Sequence, residues 1–374
     1  MTSGRLLLVD LLRTLAIAVV IAIHLQGAGL LDGQPSAGWH SFADNGMYGV
    51  YAFFVVSGFL ISRQIFAADF SKRSDVVAFW WRRVARIWPL LALTTALGAI
   101  LLFAVPNGPA THFVLHNSRA HFDWPFWASI PSFTFNWLRI LRSDTVLGWG
   151  LHWDVIWSLA IEEQFYFIYP LLVLQARTRR KLIACLTAVI FTGAAVNTLL
   201  LQCGMKNFLW LNTNSAIGFA SLAFGCLAYQ AHTRLQVIAP RVRWLVVLLA
   251  SALTVWAYRR VGAFDPMDAT KGLLLVSASV ALAVAFGADL LGSYREGEPR
   301  SWLVLPGKLS FGCYLLHPLA LYLLWQPLTG LRPWPAFALL LLATLALAQL
   351  SWSFWEEPAR KALLHRLTRT GQPR

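Results

Sequence analysis

Of 374 residues, 57% are hydrophobic, 14% aromatic and only 13% charged, with 18 Trp and a formal net charge of +14. Soluble globular chains average roughly 45–50% apolar and about 25% charged residues, so this composition excludes a disordered chain, a disulfide scaffold and most soluble enzymes. In a chain this apolar, the positive excess is expected in loops on the inner side of a membrane, and no nucleic-acid partner is implied.

In chain order, ten stretches approach the about 20 mostly apolar residues that a spanning helix needs: roughly 6–30, 47–66, 87–106, 151–174, 182–202, 209–230, 244–260, 272–291, 306–328 and 334–356. The expected fold is therefore an all-α polytopic transmembrane helix bundle of about ten spans. Asp10 and Arg13 break the first apolar run, which reads as a helix and not as a signal peptide. The sixth run is weakened by Asn212, Asn214 and several glycines. With the N-terminus placed in the cytoplasm, 22 Lys and Arg fall on the inner side and 8 on the outer, with Arg13 inside the first span. This bias and an even span count predict both termini in the cytoplasm of a multi-pass cell-membrane protein. The longest loop, 107–150, is predicted outside, with Trp124, Trp127, Trp137 and Trp149 on the interface. Residues 1–360 are read as one transmembrane domain and 361–374 as a basic cytoplasmic tail. Cys185, Cys203, Cys226 and Cys313 lie in apolar stretches without paired spacing, so neither a metal nor a disulfide framework is expected.

Charged and polar groups inside spans are costly and mark functional positions. In the first span, Arg13 and His24 are eleven residues apart, three turns plus about 20°, and so share one face with about 16 Å of rise between them. Asp10 sits one turn before Arg13 and can pair with it. Ser57-Gly58 lies at mid-depth of the second span, where a small pair admits a neighbouring helix or a ligand. Arg82, Arg83 and Arg86 in F-W-W-R-R-V-A-R-I-W-P suit either lipid phosphates or a phosphate-bearing cosubstrate. Ser158, Glu162 and Tyr166 form a polar stripe at i, i+4 and i+8, with Glu162 about halfway across. That stripe reads either as a packing network or as a site. Glu163 points about 100° away. Asp154 and Asp289 complete the acidic residues near the spans. His317 is followed by Pro318, which frees a backbone carbonyl and bends the ninth helix; a histidine bonded to that opened backbone is the plainer reading.

These segments together resemble the acyltransferase 3 family of polytopic membrane acyltransferases, from about residue 5 to 361. V-D-L-L-R followed by ten residues and a histidine is similar to the family's opening motif and places it on Arg13 and His24. F-F-V-V-S-G-F-L-I, R-R-V-A-R-I-W-P, W-S-L-A-I-E-E-Q-F-Y, S-F-G-C-Y-L-L-H and F-W-E-E-P follow in the family's order, with Glu162 on its carboxylate position. Leu11 replaces a usual glycine, and Tyr51 stands where many members have a polar or acidic residue. Larger members fuse an esterase-like domain, which is not expected here.

The resemblance implies transfer of an acyl group, by default acetyl, from cytoplasmic acetyl-CoA to a hydroxyl of a carbohydrate or glycoconjugate at a lipid bilayer. Metal is not required. It implies His24 as general base, with Glu162 and His317 supporting base or acceptor. Arg13, Arg82, Arg83 and Arg86 would bind the donor, and Ser57, Ser158 and Tyr166 the substrate. Acylation of a small secondary metabolite such as a macrolide is an alternative. A proton-coupled secondary transporter would also place His, Glu, Asp and Arg inside a bundle, although no repeated halves are visible. A scaffold would leave Arg13 and Glu162 without a purpose.

Overall fold

A computed structural model describes residues 4–31, 37–68, 70–104, 122–142, 154–294, 298 and 304–369. After the two-residue strand β1 (Arg5–Leu6) come α1 (Leu7–Gly27), α2 (Trp39–Ala43), α3 (Met47–Phe66), α4 (Arg73–Ala104), α5 (Trp124–Ser129), α6 (Phe135–Leu141), α7 (Ile156–Ala176) and α8 (Arg179–Gln202). Then follow α9 (Phe208–Thr213), α10 (Ser215–Leu235), α11 (Pro240–Arg260), α12 (Pro266–Gly287), strand β2 (Ser293–Tyr294), α13 (Leu305–Lys308), α14 (Ser310–Leu323), α15 (Trp325–Leu328) and α16 (Pro333–Ser351). A π-helical stretch, Trp352–Glu356, leads into α17 (Glu357–Arg369).

Seven helices among the described residues are long and apolar enough to cross a membrane. The other three expected segments are those with polar or interrupted sequence. They are α7, which carries Glu162 and Glu163; α10, split from α9 at Asn214; and α14, which is only 14 residues long. Outward-facing side chains on α8, α11 and α16 are large and apolar, among them Phe191, Leu248, Leu249 and Leu342, each more than 60% exposed. Water would penalise such a surface and hydrocarbon does not. The chain is an all-α helical membrane protein whose only described strands are β1 and β2, paired antiparallel.

At the centre, α3 packs along α10, with α1, α7 and α12 around them. Gly58 and Gly225 explain the close approach. A Cβ on Gly58 would strike the Leu222 carbonyl, and one on Gly225 the Val55 carbonyl. Two backbones meet here without side chains between them, as small residues permit in membrane bundles. Gly225→Val should therefore cost at least about 1–3 kcal/mol through overpacking. The check is the thermal midpoint of the detergent-solubilised protein; an unchanged midpoint would show that α3 and α10 can move apart freely.

Three expectations are corrected. The expected surface loop 107–150 contains α5 and α6, whose Phe126, Phe135, Asn136 and Arg139 are buried. Helices of six and seven residues are too short for a periodicity to register. Trp124 is exposed there and Trp127 half-buried, while Trp149 lies outside the described residues. The sixth span is two helices, because Asn214 adopts extended angles (φ −73°, ψ 150°). The freed carbonyls of Leu211, Asn212 and Thr213 accept hydrogen bonds from Asn197, Tyr51 and Asn136. The third span starts about four turns early, at Arg73, so the arginine cluster lies within α4 and not before it.

Candidate functional site

A cavity of about 600 Å³ opens between α1, α3, α4, α7, α14 and the C-terminal α17. This lies inside the range of about 300–1,000 Å³ common for small-molecule sites. Seven arginines line it, Arg5, Arg13, Arg63, Arg82, Arg83, Arg86 and Arg360, against two carboxylates, Asp10 and Glu162. Arg82 and Arg86 are one turn apart on α4 and make no ion pair among the described residues. Arg83 donates to Gln64 Oε1 at 2.9 Å and lies over the Tyr166 ring, 4.6 Å from its centroid. Arg360 is held bidentately by Glu357 at 2.7 and 2.8 Å. It reaches the cavity because α17, which continues α16 through the π-helical stretch, packs against α4, with Trp355 Nε1 donating to the Pro89 carbonyl at 2.7 Å.

Asp10 is the anchor of the charge cluster. It is 3% exposed and accepts from Arg5 at 2.7 and 2.9 Å, from Arg13 at 3.3 Å and from the Tyr294 hydroxyl at 2.8 Å. Burial, then the neighbouring carboxylate, pushes the Tyr294 phenol up to about 12, so it remains a donor at neutral pH. The β1–β2 pairing brings Arg5 and Tyr294 together, which explains why two such short strands exist. Arg13 therefore shares its carboxylate and faces the cavity with donors to spare.

Deeper in, Glu162 Oε1 accepts from Ser57 Oγ at 3.0 Å and Oε2 from the Tyr166 hydroxyl at 3.2 Å. These bonds join two of the sequence-derived candidates to the third across α3 and α7. The expected orientation of a histidine by Glu162 is not what the structure shows, since both carboxylate oxygens are directed to Ser57 and Tyr166. Glu163 does not line the cavity, and its Oε1 is buried without a hydrogen-bond partner among the described residues. Ser158 lines the cavity and shares a 2.6 Å hydrogen bond with the Tyr314 hydroxyl.

His24 and His317 lie beyond this wall. Their rings meet edge-on, with centroids 4.7 Å apart, and Tyr314 stands 5.9 Å from His317 on the cavity side. Neither histidine lines the cavity, so Arg13 and His24 share a helix face without bordering one described lumen. Each imidazole donates Nδ1–H to a carbonyl one turn earlier, His24 to Val20 at 2.8 Å and His317 to Cys313 at 3.2 Å. In the neutral ring this leaves the lone pair on Nε2. Asp154 and Arg139 are close enough to act on His24 electrostatically. No group of three or more His, Cys, Asp or Glu gathers among the described residues.

The family model described as an acyltransferase domain, acyltransferase 3, matches residues 7–353. The chain belongs to that family. Among curated relatives of this acyltransferase domain are a peptidoglycan O-acetyltransferase of Listeria monocytogenes, 28% identical, and a putative peptidoglycan O-acetyltransferase of Bacillus subtilis, 27% identical. An O-acetyltransferase of Staphylococcus aureus is 25% identical. Each match covers 94% of the chain but only 55%, 54% and 57% of the relative, so the chain spans little more than half their length. No solved structure matches.

Within this family member, the structure adds cavity residues that the sequence alone does not single out. Arg5, Arg63 and Arg360 line the cavity, and sequence alone counts them only as inner-side charge. Tyr314 was visible one turn before His317, but its bond to Ser158 joins residues 156 positions apart.

Proposed function

We propose that the protein is a membrane O-acyltransferase that takes acyl-CoA, by default acetyl-CoA, at the arginine-lined cavity and passes the acyl group to a hydroxyl of a glycan. The carrying observation is the cavity itself: seven arginines, four of them without an ion pair among the described residues, around a polar floor of Ser57, Glu162 and Tyr166. Guanidinium groups bind phosphates bidentately, and coenzyme A presents three phosphate groups. Arg82, Arg83 and Arg86 hold those phosphates, and Arg13 lies deeper, toward the thioester. This end faces the cytoplasm in a ten-span topology with both termini inside, and the membrane is the cell membrane. The peptidoglycan O-acetyltransferases among its relatives make a peptidoglycan-type carbohydrate the first acceptor to test.

The acceptor arrives from the histidine end. As its hydroxyl oxygen attacks the thioester carbonyl carbon, His24 Nε2 takes the hydroxyl proton. The carbon–sulfur bond then breaks, the imidazolium returns the proton to the thiolate, and the new ester and coenzyme A thiol separate. His317 packs against His24 and fixes its ring. Glu162 keeps Ser57 and Tyr166 turned toward the cavity.

The direct test is turnover of acetyl-CoA by the purified protein with glycan acceptors, read as free thiol and as acetylated glycan mass. Arg86→Gln should raise the KM for acetyl-CoA about 10- to 100-fold, the equivalent of losing a charged hydrogen bond, with little change in kcat. Absence of any acyl-CoA turnover in the folded wild-type protein sinks the proposal.

A further inference from the structure

The inner cavity ends at Tyr314. Its ring lies beside Phe53, with 6.2 Å between centroids, and its hydroxyl is fixed twice, by the 2.6 Å bond shared with Ser158 and by donation to the Val155 carbonyl at 3.1 Å. Phe53, Ser158 and Tyr314 all line the cavity. His317 lies 5.9 Å from the Tyr314 ring and His24 4.7 Å from His317, centroid to centroid, and neither histidine lines the cavity. Tyr314, on α14 and bonded to Ser158 of α7, thus both lines the space holding Arg13 and Glu162 and neighbours the pair of imidazoles. Pro318 has no N–H, so the helix gives up the hydrogen bond that would have ended on the Tyr314 carbonyl, four residues earlier. The wall is therefore held chiefly by its side chain.

We propose that Tyr314 is a specificity-determining partition: at rest its ring sets the acyl length that the donor cavity accepts and separates that cavity from the histidine pair, and it swings aside when the acceptor hydroxyl and His24 meet the thioester. The proposal rests on reading the cavity as the acyl-CoA site. An acetyl group ends before the ring. Each added methylene has to fit against a phenol clamped by two hydrogen bonds, and a methylene that does not fit costs about 10- to 200-fold in discrimination. Shortening the side chain removes the wall and joins the two spaces.

Two measurements test this. The first compares kcat/KM for hexanoyl-CoA and acetyl-CoA in the wild type, Tyr314→Phe, Tyr314→Leu and Tyr314→Ala. The hexanoyl-to-acetyl ratio should rise at least about tenfold in Tyr314→Ala and by less in Tyr314→Leu. It should stay near the wild-type value in Tyr314→Phe, which keeps the ring. Tyr314→Leu serves if the alanine variant does not fold. The second needs no turnover. In a His24→Cys protein in sealed vesicles, a membrane-impermeant, negatively charged methanethiosulfonate is applied to one face at a time, with modification of position 24 read by peptide mass spectrometry. Adding Tyr314→Ala should speed labelling at least about tenfold from the face on which the arginine cavity opens, because thiol reactivity follows access. An unchanged chain-length ratio in an active Tyr314→Ala protein overturns the partition. Equal labelling rates with and without Tyr314 overturn it too. If the wild type turns over no acyl-CoA, the donor reading fails, and the labelling rates still decide whether Tyr314 divides the two spaces.

Discussion

His24→Ala is expected to lower kcat for acyl transfer by about 10²–10⁴, the range contributed by a positioned general base. The KM for acetyl-CoA should stay within about twofold of the wild type, because a residue that acts only in the transition state leaves donor binding intact. Geometry underlies both halves of the expectation. The His24 imidazole donates Nδ1–H to the Val20 carbonyl at 2.8 Å, which orients Nε2 as the basic nitrogen, and that nitrogen has no hydrogen-bond partner among the described residues. It also lies outside the arginine-lined cavity, so its removal takes nothing from the phosphate-binding side chains. His24→Asn separates proton transfer from packing, since it keeps a polar side chain at the position but cannot act as a base near neutral pH. Loss of activity in both variants with normal elution of the solubilised protein supports the base. A folded His24→Ala protein with near-wild-type kcat would remove His24 from the chemistry and shift attention to His317, the ring against it.

The parts of this arrangement that one helix encodes were readable in the sequence. Helical spacing places Ser158, Glu162 and Tyr166 on one stripe, and the 3.2 Å bond from Tyr166 to Glu162 is the i, i+4 contact that such a stripe predicts. Arg13 and His24 lie on one face of α1 by the same arithmetic. That Tyr314 lines the cavity beside His317 was not readable, because it comes from α14, some 290 residues after His24, and is held by α7. The second partner of Glu162 was hidden for the same reason: Ser57 is 105 residues away, on α3, and meets Glu162 only where α3 packs against α7. Short elements were also invisible. Neither α6 nor the β1–β2 pair has a period, yet the first carries Arg139 and the second places Arg5 on Asp10. Helix-scale patterns thus located the chemistry, and packing between distant helices decided which groups share a compartment.

Asp154→Ala should destabilise the protein by about 3–5 kcal/mol, the cost of stranding one partner of a buried ion pair. Asp154 and Arg139 are 7% and 6% exposed, with Arg139 Nε 2.6 Å and Nη2 3.0 Å from the two carboxylate oxygens. Arg139 sits on α6, and Asp154 immediately precedes α7, so the pair ties the α5–α6 segment to the helix that bears Glu162. A second tie runs alongside: Gln164 donates to the Phe133 carbonyl at 2.6 Å and to Asn136 Oδ1 at 3.0 Å, while Ser215 donates to Gln164 Oε1 at 2.6 Å. The hydrogen-bonded tie survives in the variant, so the expected result is a loosened α5–α6 segment ahead of global unfolding, seen as faster amide exchange over 135–141 and a lower thermal midpoint in detergent. The double variant Arg139→Met/Asp154→Leu should recover most of the loss, because replacing both charges by apolar groups leaves nothing unpaired. If the single and double variants are equally destabilised, the pair is held by packing around its side chains and not by the charges.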